Sequence, residues 1–259
     1  MIDSSRTPDP DISDLRQSID RVDQRLLSLI AERLRLADCM RQAKNGSQVW
    51  RPAREQALVR RLVEMSSGVS SGLVSRVWAE LMSASLALQG PMRLHVSLEG
   101  DALDVGAVVR DRFGAALPVS SYPTAGSALA AAYGDPEGVA IVAAPSEMNN
   151  WWSALCRDGV MPDMHILTGL PRVRETDWPT AVAVATSDLE YDNQDNILLA
   201  VTDMKAFHAS GLSGVLKAET GGTNLVMVRS GWETATLETY LTGDNSGRIV
   251  GYLSKALDP

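Results

Sequence analysis

Residues 11–44 read DISDLRQSIDRVDQRLLSLIAERLRLADCMRQAK, and the rest of the chain is organised around this stretch. Ile12, Leu15, Ile19, Val22, Leu26 and Leu29 recur at alternating steps of three and four. That spacing is a heptad seam of the coiled-coil kind. Ala, Leu, Arg and Gln fill the intervening positions, so helix propensity agrees with the periodicity. Pro8 and Pro10 precede the start, Asp11 and Ser13 can cap it, and Asn45-Gly46 ends it. At about 1.5 Å of rise per residue the predicted helix is roughly 50 Å long.

The seam then breaks its own rule. Continuing the register puts Arg33 where an apolar side chain is due. A buried guanidinium is costly unless an anion pairs with it. Arg16 and Lys44 fall on the stripe flanking the seam, so three cations lie on or beside the face expected to meet other helices. Either they snorkel and pair with neighbouring carboxylates, or they share an anionic ligand.

Composition narrows the choice. The chain has 259 residues, 45% hydrophobic and 22% charged, with room for two or three small domains. No run approaches the roughly 18 apolar residues of a membrane span, and MIDSSRTPDP lacks a basic-then-apolar signal, so the expected location is cytoplasmic. Cys39 and Cys156 are isolated, as reduced thiols are, and form no metal-ligand cluster. His95, His165 and His208 stand alone, as ordinary core or surface histidines do. There is no nucleotide-binding loop, repeat or low-complexity segment.

Residues 1–90 hold 13 Lys/Arg against 11 Asp/Glu, whereas the remainder holds 11 against 21. A helical segment that keeps its cations inside an acidic protein suits a small anion. Nucleic acid would want a broader basic face.

A second helix opens at Arg51-Pro52-Ala53-Arg54-Glu55, since Pro suits the first turn and Glu55 complements the dipole. Leu58, Val59, Leu62 and Val63 supply its buried face. A third helix spans about 73–89 and stops at Gly90-Pro91. Trp78, Met82, Ser85 and Gln89 share one of its stripes; Ser85 and Gln89 either serve a common ligand or face solvent.

Arg16, the Ala31-Glu32-Arg33 segment, Ala43-Lys44, Arg51-Pro-Ala-Arg54-Glu55, and Ser85 with Gln89 together resemble the all-helical chorismate mutases. The resemblance covers roughly residues 10–90. The Arg-Pro-x-Arg-Glu form is most similar to the mutase portion of bifunctional mutase–prephenate dehydratases. Many helical mutases carry Asp where Arg51 stands.

The resemblance implies conversion of chorismate to prephenate. This is a unimolecular rearrangement of a dianion and needs no metal, nucleophile or redox cofactor. The enzyme holds a compact conformer and stabilises charge developing on the ether oxygen. By resemblance, Arg16 and Arg33 grip the two carboxylates with help from Ser85. Lys44 and Gln89 donate to the ether oxygen, Glu55 holds the ring hydroxyl, and Arg54 supports the site. Arg16 and Lys44 are 28 positions apart on one helix, about 40 Å along the axis, so one small ligand cannot touch both. An antiparallel partner helix would bring its own Arg16 beside Lys44, which makes an intertwined homodimer with shared sites the expected assembly.

Beyond Pro91 the texture becomes α/β. Strands are expected at 93–98, 117–120, 138–143 and 165–167, with helical stretches near 102–113, 125–133 and 147–157. Trp151-Trp152 either packs in a core or lids a ligand. Thr180–Val184 starts another strand. Residues 196–201, 205–211, 215–218, 224–228, 233–241 and 248–253 read β-α-β-β-α-β, the order of a ferredoxin-like module. This end looks like the amino-acid-binding ACT module that follows dehydratase domains. The expected architecture is therefore multidomain α plus α/β. It comprises a mutase domain over 1–90, a dehydratase-like region over 91–190 and an ACT-like end over 191–259.

In dehydratases a Thr-Arg-Phe motif opens a strand shortly before the ACT module. The matching stretch here is Thr180-Ala181-Val182, which lacks the cation an anionic substrate needs. A shifted alignment would put that arginine at Arg172 or Arg174. The family's Glu-Ser-Arg-Pro effector signature has Lys217-Ala218-Glu219-Thr220 as its nearest counterpart. Competing readings are a metabolite-binding regulatory protein whose helices only dimerise, and a bifunctional mutase/prephenate dehydratase.

Overall fold

The computed structural model describes residues 11–43, 50–90, 92–191, 193–243 and 247–259. Cα packing divides the chain into two compact units, Met1–Gly46 and Ser47–Pro259. Lys44 and the helix stop expected at Asn45-Gly46 lie outside the described residues.

The first unit is one helix, α1 (Ile12–Ala43), of 32 residues and about 48 Å. Asp11 stands just before it and accepts a hydrogen bond from the Ser13 hydroxyl at 2.6 Å. The predicted seam is present and uncovered: Ile12, Leu15, Ile19, Val22, Leu26 and Leu29 are 48–65% exposed. Intrinsic propensity alone rarely maintains so long a helix in water; packing of an apolar face usually does.

The second unit begins with two helices, α2 (Pro52–Met65) and α3 (Ser71–Gln89). Pro52 opens α2, and Gln56 and Val59 continue its buried face. The Ser70 hydroxyl caps α3 by accepting from the Leu73 amide. Strands and helices alternate as far as β3 and strands then follow one another: β1 (Arg93–Ser97), α4 (Ala102–Phe113), β2 (Val119–Ser121), α5 (Ala125–Tyr133), β3 (Gly138–Ala143), β4 (Met164–Leu170) and β5 (Ala181–Thr186). After them come β6 (Asp195–Val201), α6 (Met204–Ala209), β7 (Val215–Thr220), β8 (Thr223–Val228), α7 (Thr234–Thr242) and β9 (Arg248–Ser254). Each expected strand is present, with ends shifted by a few residues. The caps are local: Asp101 starts α4, Asp203 starts α6, and Thr124 with Ser127 forms a capping box at α5.

One expectation is corrected here. Residues 147–157 do not form an α-helix; only Asn150–Leu155 coils, as a 3₁₀ helix. Trp151 donates its indole N–H to Ala143 O at 2.9 Å, and Trp152 is fully buried. Anchoring two adjacent indoles holds the segment in a tight turn. Of the two roles open to this pair, the structure shows core packing.

The strands form one sheet in the order β2-β1-β3-β5-β4-β9-β6-β8-β7. β1 pairs parallel with β2 and β3, and β5 lies antiparallel between β3 and β4. The last four strands, β9-β6-β8-β7, pair antiparallel throughout. Strands β3 and β5 are almost wholly buried, as continuous apolar runs covered on both faces are. Their alternate residues divide between two cores: Ile141, Ala181 and Ala183 pack in one, and Val142, Val182 and Val184 in the other. Among the described residues, no helix is long and apolar enough to cross a membrane.

Two glycines permit close approaches between elements. Gly114, at φ +59°, turns the end of α4 onto α3, and a Cβ there would meet Ser83 Cβ at 2.7 Å and Ala79 O at 2.9 Å. Gly251 joins the two halves of the sheet, pairing with Ile166 across β4 and β9. A Cβ at 251 would collide with the Ile166 carbonyl oxygen and Cβ. Gly251→Ala is therefore expected to cost about 1–3 kcal/mol by overpacking, or roughly 2–4 °C of Tm per kcal/mol for a unit of this size. A thermal melt of the variant that coincides with wild type would show that the sheet joint yields freely.

Candidate active site

The seven expected ligands distribute over both units. Arg16 and Arg33 lie on α1, 17 positions apart, or about 26 Å of helix. Arg16 is exposed and Arg33 half-buried. Lys44 is outside the described residues. The other four belong to the α2–α3 pair. Arg54 is exposed in the first turn of α2. Ser85 is 6% exposed and returns its hydroxyl to Leu81 O at 2.7 Å. Gln89 closes α3 and is half-buried. Solvent exposure, one of the two readings left open for these last two side chains, therefore does not describe Ser85.

Glu55 is the most heavily engaged. Its Oε2 lies 3.4 Å from Arg112 Nη2 and 3.9 Å from Arg172 Nη2. Neighbouring Gln56 presents Oε1 to Arg172 Nε at 3.1 Å and to Arg112 Nη1 at 3.5 Å. Arg172 also donates to Ser75 Oγ at 3.4 Å on α3, and Arg112 to Pro52 O at 3.4 Å on α2. Both arginines come from the α/β region: Arg112 from the last turn of α4, Arg172 from the stretch after β4. They are 2% and 1% exposed.

Burial dominates their electrostatics. It pushes the Arg112 guanidinium down from its usual range, against the pull of Glu55. Arg172 is pushed down to about 9, by burial first and by the like charge of Arg112 second, with Glu55 and Asp111 opposing. Arg174 is pushed down to about 10 by burial. It donates to the carbonyls of Pro171, Asp177 and Ser254 and so braces the loop after β4 against β9.

Arg112 escapes sequence reasoning because an arginine in a last helical turn reads as an exposed dipole partner. Arg172 entered only as an alternative dehydratase arginine. Arg51 is accounted for by an ion pair with Glu190 at 2.9 Å, which ties the start of α2 to the linker before β6.

Residues 15–90 match the model of the family described as chorismate mutase type II. Among curated proteins, the bifunctional chorismate mutase/prephenate dehydratase of Neisseria gonorrhoeae is 30% identical over 122 residues, covering 46% of this chain and 33% of that protein. The proteins of the same name from Stutzerimonas stutzeri and Pseudomonas aeruginosa are 34% and 32% identical over 88 residues, covering 31% of this chain and 24% of each relative. The matches thus span a third or less of the relatives' own length. A solved chain titled "GqqA- a novel type of quorum quenching acylases" aligns with a TM-score of 0.44 and 14% identity, covering 64% of this chain and 97% of that one.

Proposed function

We propose that the chain is a chorismate mutase acting as an intertwined homodimer. The observation that carries this reading is a coincidence of place. Arg16, Arg33, Lys44, Arg54, Glu55, Ser85 and Gln89 all fall inside the segment that matches the mutase family model. The reaction asks for cations at two carboxylates, donors at an ether oxygen and an acceptor for a ring hydroxyl, and this set supplies each. Arg16 and Arg33 take the carboxylates with Ser85, Lys44 and Gln89 donate to the ether oxygen, Glu55 accepts from the ring hydroxyl, and Arg54 supports them. Catalysis is then positioning plus electrostatic stabilisation by groups already in place.

The uncovered seam of α1 supports the dimer. Its apolar side chains are exposed over the helix length, and a second copy of the same helix, laid antiparallel, buries them and shares the sites. We place the enzyme in the cytoplasm, in keeping with free Cys39 and Cys156. The order β9-β6-β8-β7, with α6 and α7 as crossovers, supports reading 191–259 as a ferredoxin-like, ACT-like end.

The names of the relatives carry a second activity, prephenate dehydratase, which this chain is not proposed to share. Ala181 stands fully buried at the start of β5 with no charge to offer. Thr180 spends its hydroxyl on Leu170 O at 3.0 Å. Arg172 and Arg174, the alternative cations, are turned inward on Gln56, Ser75 and backbone carbonyls. Incubating the protein with chorismate and following products tests both halves. Chorismate should disappear with prephenate accumulating, and phenylpyruvate should form at neutral pH no faster than without protein. Unchanged chorismate would sink the mutase; protein-dependent phenylpyruvate would restore the bifunctional reading.

A further inference from the structure

We propose that Arg112 and Arg172 are positioning residues of the mutase site, holding the Glu55 carboxylate from behind and so making the α/β region part of the catalytic apparatus. This rests on the mutase reading above.

Two guanidiniums are withdrawn from water at adjoining positions, 2% and 1% exposed. They repel one another, and the carboxylate paired with both is Glu55. Even then Arg112 Nε and Arg172 Nη2 have no hydrogen-bond partner among the described residues. As a stability device this is poor, because apolar residues of similar volume usually serve a buried junction as well or better. What the arrangement does supply is orientation. Both ion pairs are made through Glu55 Oε2, which leaves Oε1 to accept from a substrate hydroxyl.

The need is specific to Glu55. It is the one carboxylate among the proposed ligands of a dianion, so it must approach the substrate without repelling it. Two cations behind the carboxylate offset that repulsion and fix its plane. The fixing groups are themselves held. Gln56 binds both guanidiniums and donates to Lys255 O, while Asp111 accepts from the Arg172 amide. Arg60 and Ser71 also reach the carbonyls of Lys255 and Asp258 just beyond β9. The segment after the last strand therefore braces the helix that carries Glu55.

The test uses the full-length protein and steady-state kinetics on chorismate. Arg112→Met and Arg172→Met should each lower kcat about 10- to 100-fold, the scale of a misplaced catalytic group, with KM changed less than about threefold. Arg112→Lys and Arg172→Lys, which keep the charge if the Met variants do not fold, should recover part of that loss. The diagnostic comparison is with Glu55→Gln. In that background either Met substitution should cost less than about twofold, since there is no carboxylate left to hold. An equal loss in both backgrounds, or full kcat in folded Arg112→Met and Arg172→Met, overturns the positioning role while the mutase reading stands. A wild-type protein without activity on chorismate overturns both.

Discussion

Replacing Arg33 by Ala is expected to abolish chorismate turnover and to leave a folded, dimeric protein. Arg33 occupies the next seam position after Leu29 on α1 and is half-buried there. Alanine is the best helix former, so α1 should persist. What disappears is the cation proposed to meet a substrate carboxylate. Removing one preorganised charge-stabilising donor typically costs about 10²–10³-fold in kcat, and a bidentate guanidinium on a dianion belongs at the upper end or beyond. Circular dichroism and sedimentation should match wild type while the chorismate assay falls to the uncatalysed rate. Wild-type turnover would remove Arg33 from the site; an unfolded variant would assign it to packing.

The second large effect is a gain. Arg16→Ala and Lys44→Ala homodimers should each be inactive. If each site takes Arg16 from one chain and Lys44 from the other, a mixed dimer has one site with both defects and one with neither. Co-refolding the two variants should therefore restore activity to about half of wild type per mixed dimer, which is multivalent geometry and requires no new contact. The physical ground is length: Arg16 stands 27 positions from Ala43, where α1 ends, or about 40 Å of helix, so Arg16 and the residue that follows Ala43 cannot reach the same small molecule within one chain. Differently tagged variants let the mixed dimer be isolated, and an inactive one would count against shared sites.

Much of the fold was legible because it is written locally. Period 3.5 along α1, proline at the opening of α2, and alternating or continuous apolar runs bounded by Gly, Pro, Asp and Ser each depend on neighbours within a few positions. Helices α4 and α5 begin where the sequence predicts, because Asp101, Thr124 and Ser127 cap their first turns by side-chain bonds of short range, and each ends at a glycine, Gly114 or Gly134. The segment 147–157 was misread because the anchoring of Trp151 on Ala143 is a tertiary contact that overrides helix propensity.

The candidate site divides in the same way. The seven polar positions are proposed from the mutase resemblance, and the seam's period by itself singles out only Arg33, with Arg16 and Lys44 beside it. The partners of Glu55 come from neither. Arg112 lies 57 positions beyond it and Arg172 a further 60, and no periodicity links such distances. On its own, the sequence of this protein determined most element types and the apolar seam with its interrupting cation. Only the tertiary structure decided that the strands of the described residues make one sheet joined at Gly251 and that two arginines of the α/β region are buried against α2. Burial is set by what the folded chain brings alongside a residue, and for a charged side chain that neighbourhood is the difference between a solvated surface group and a fixed electrostatic element.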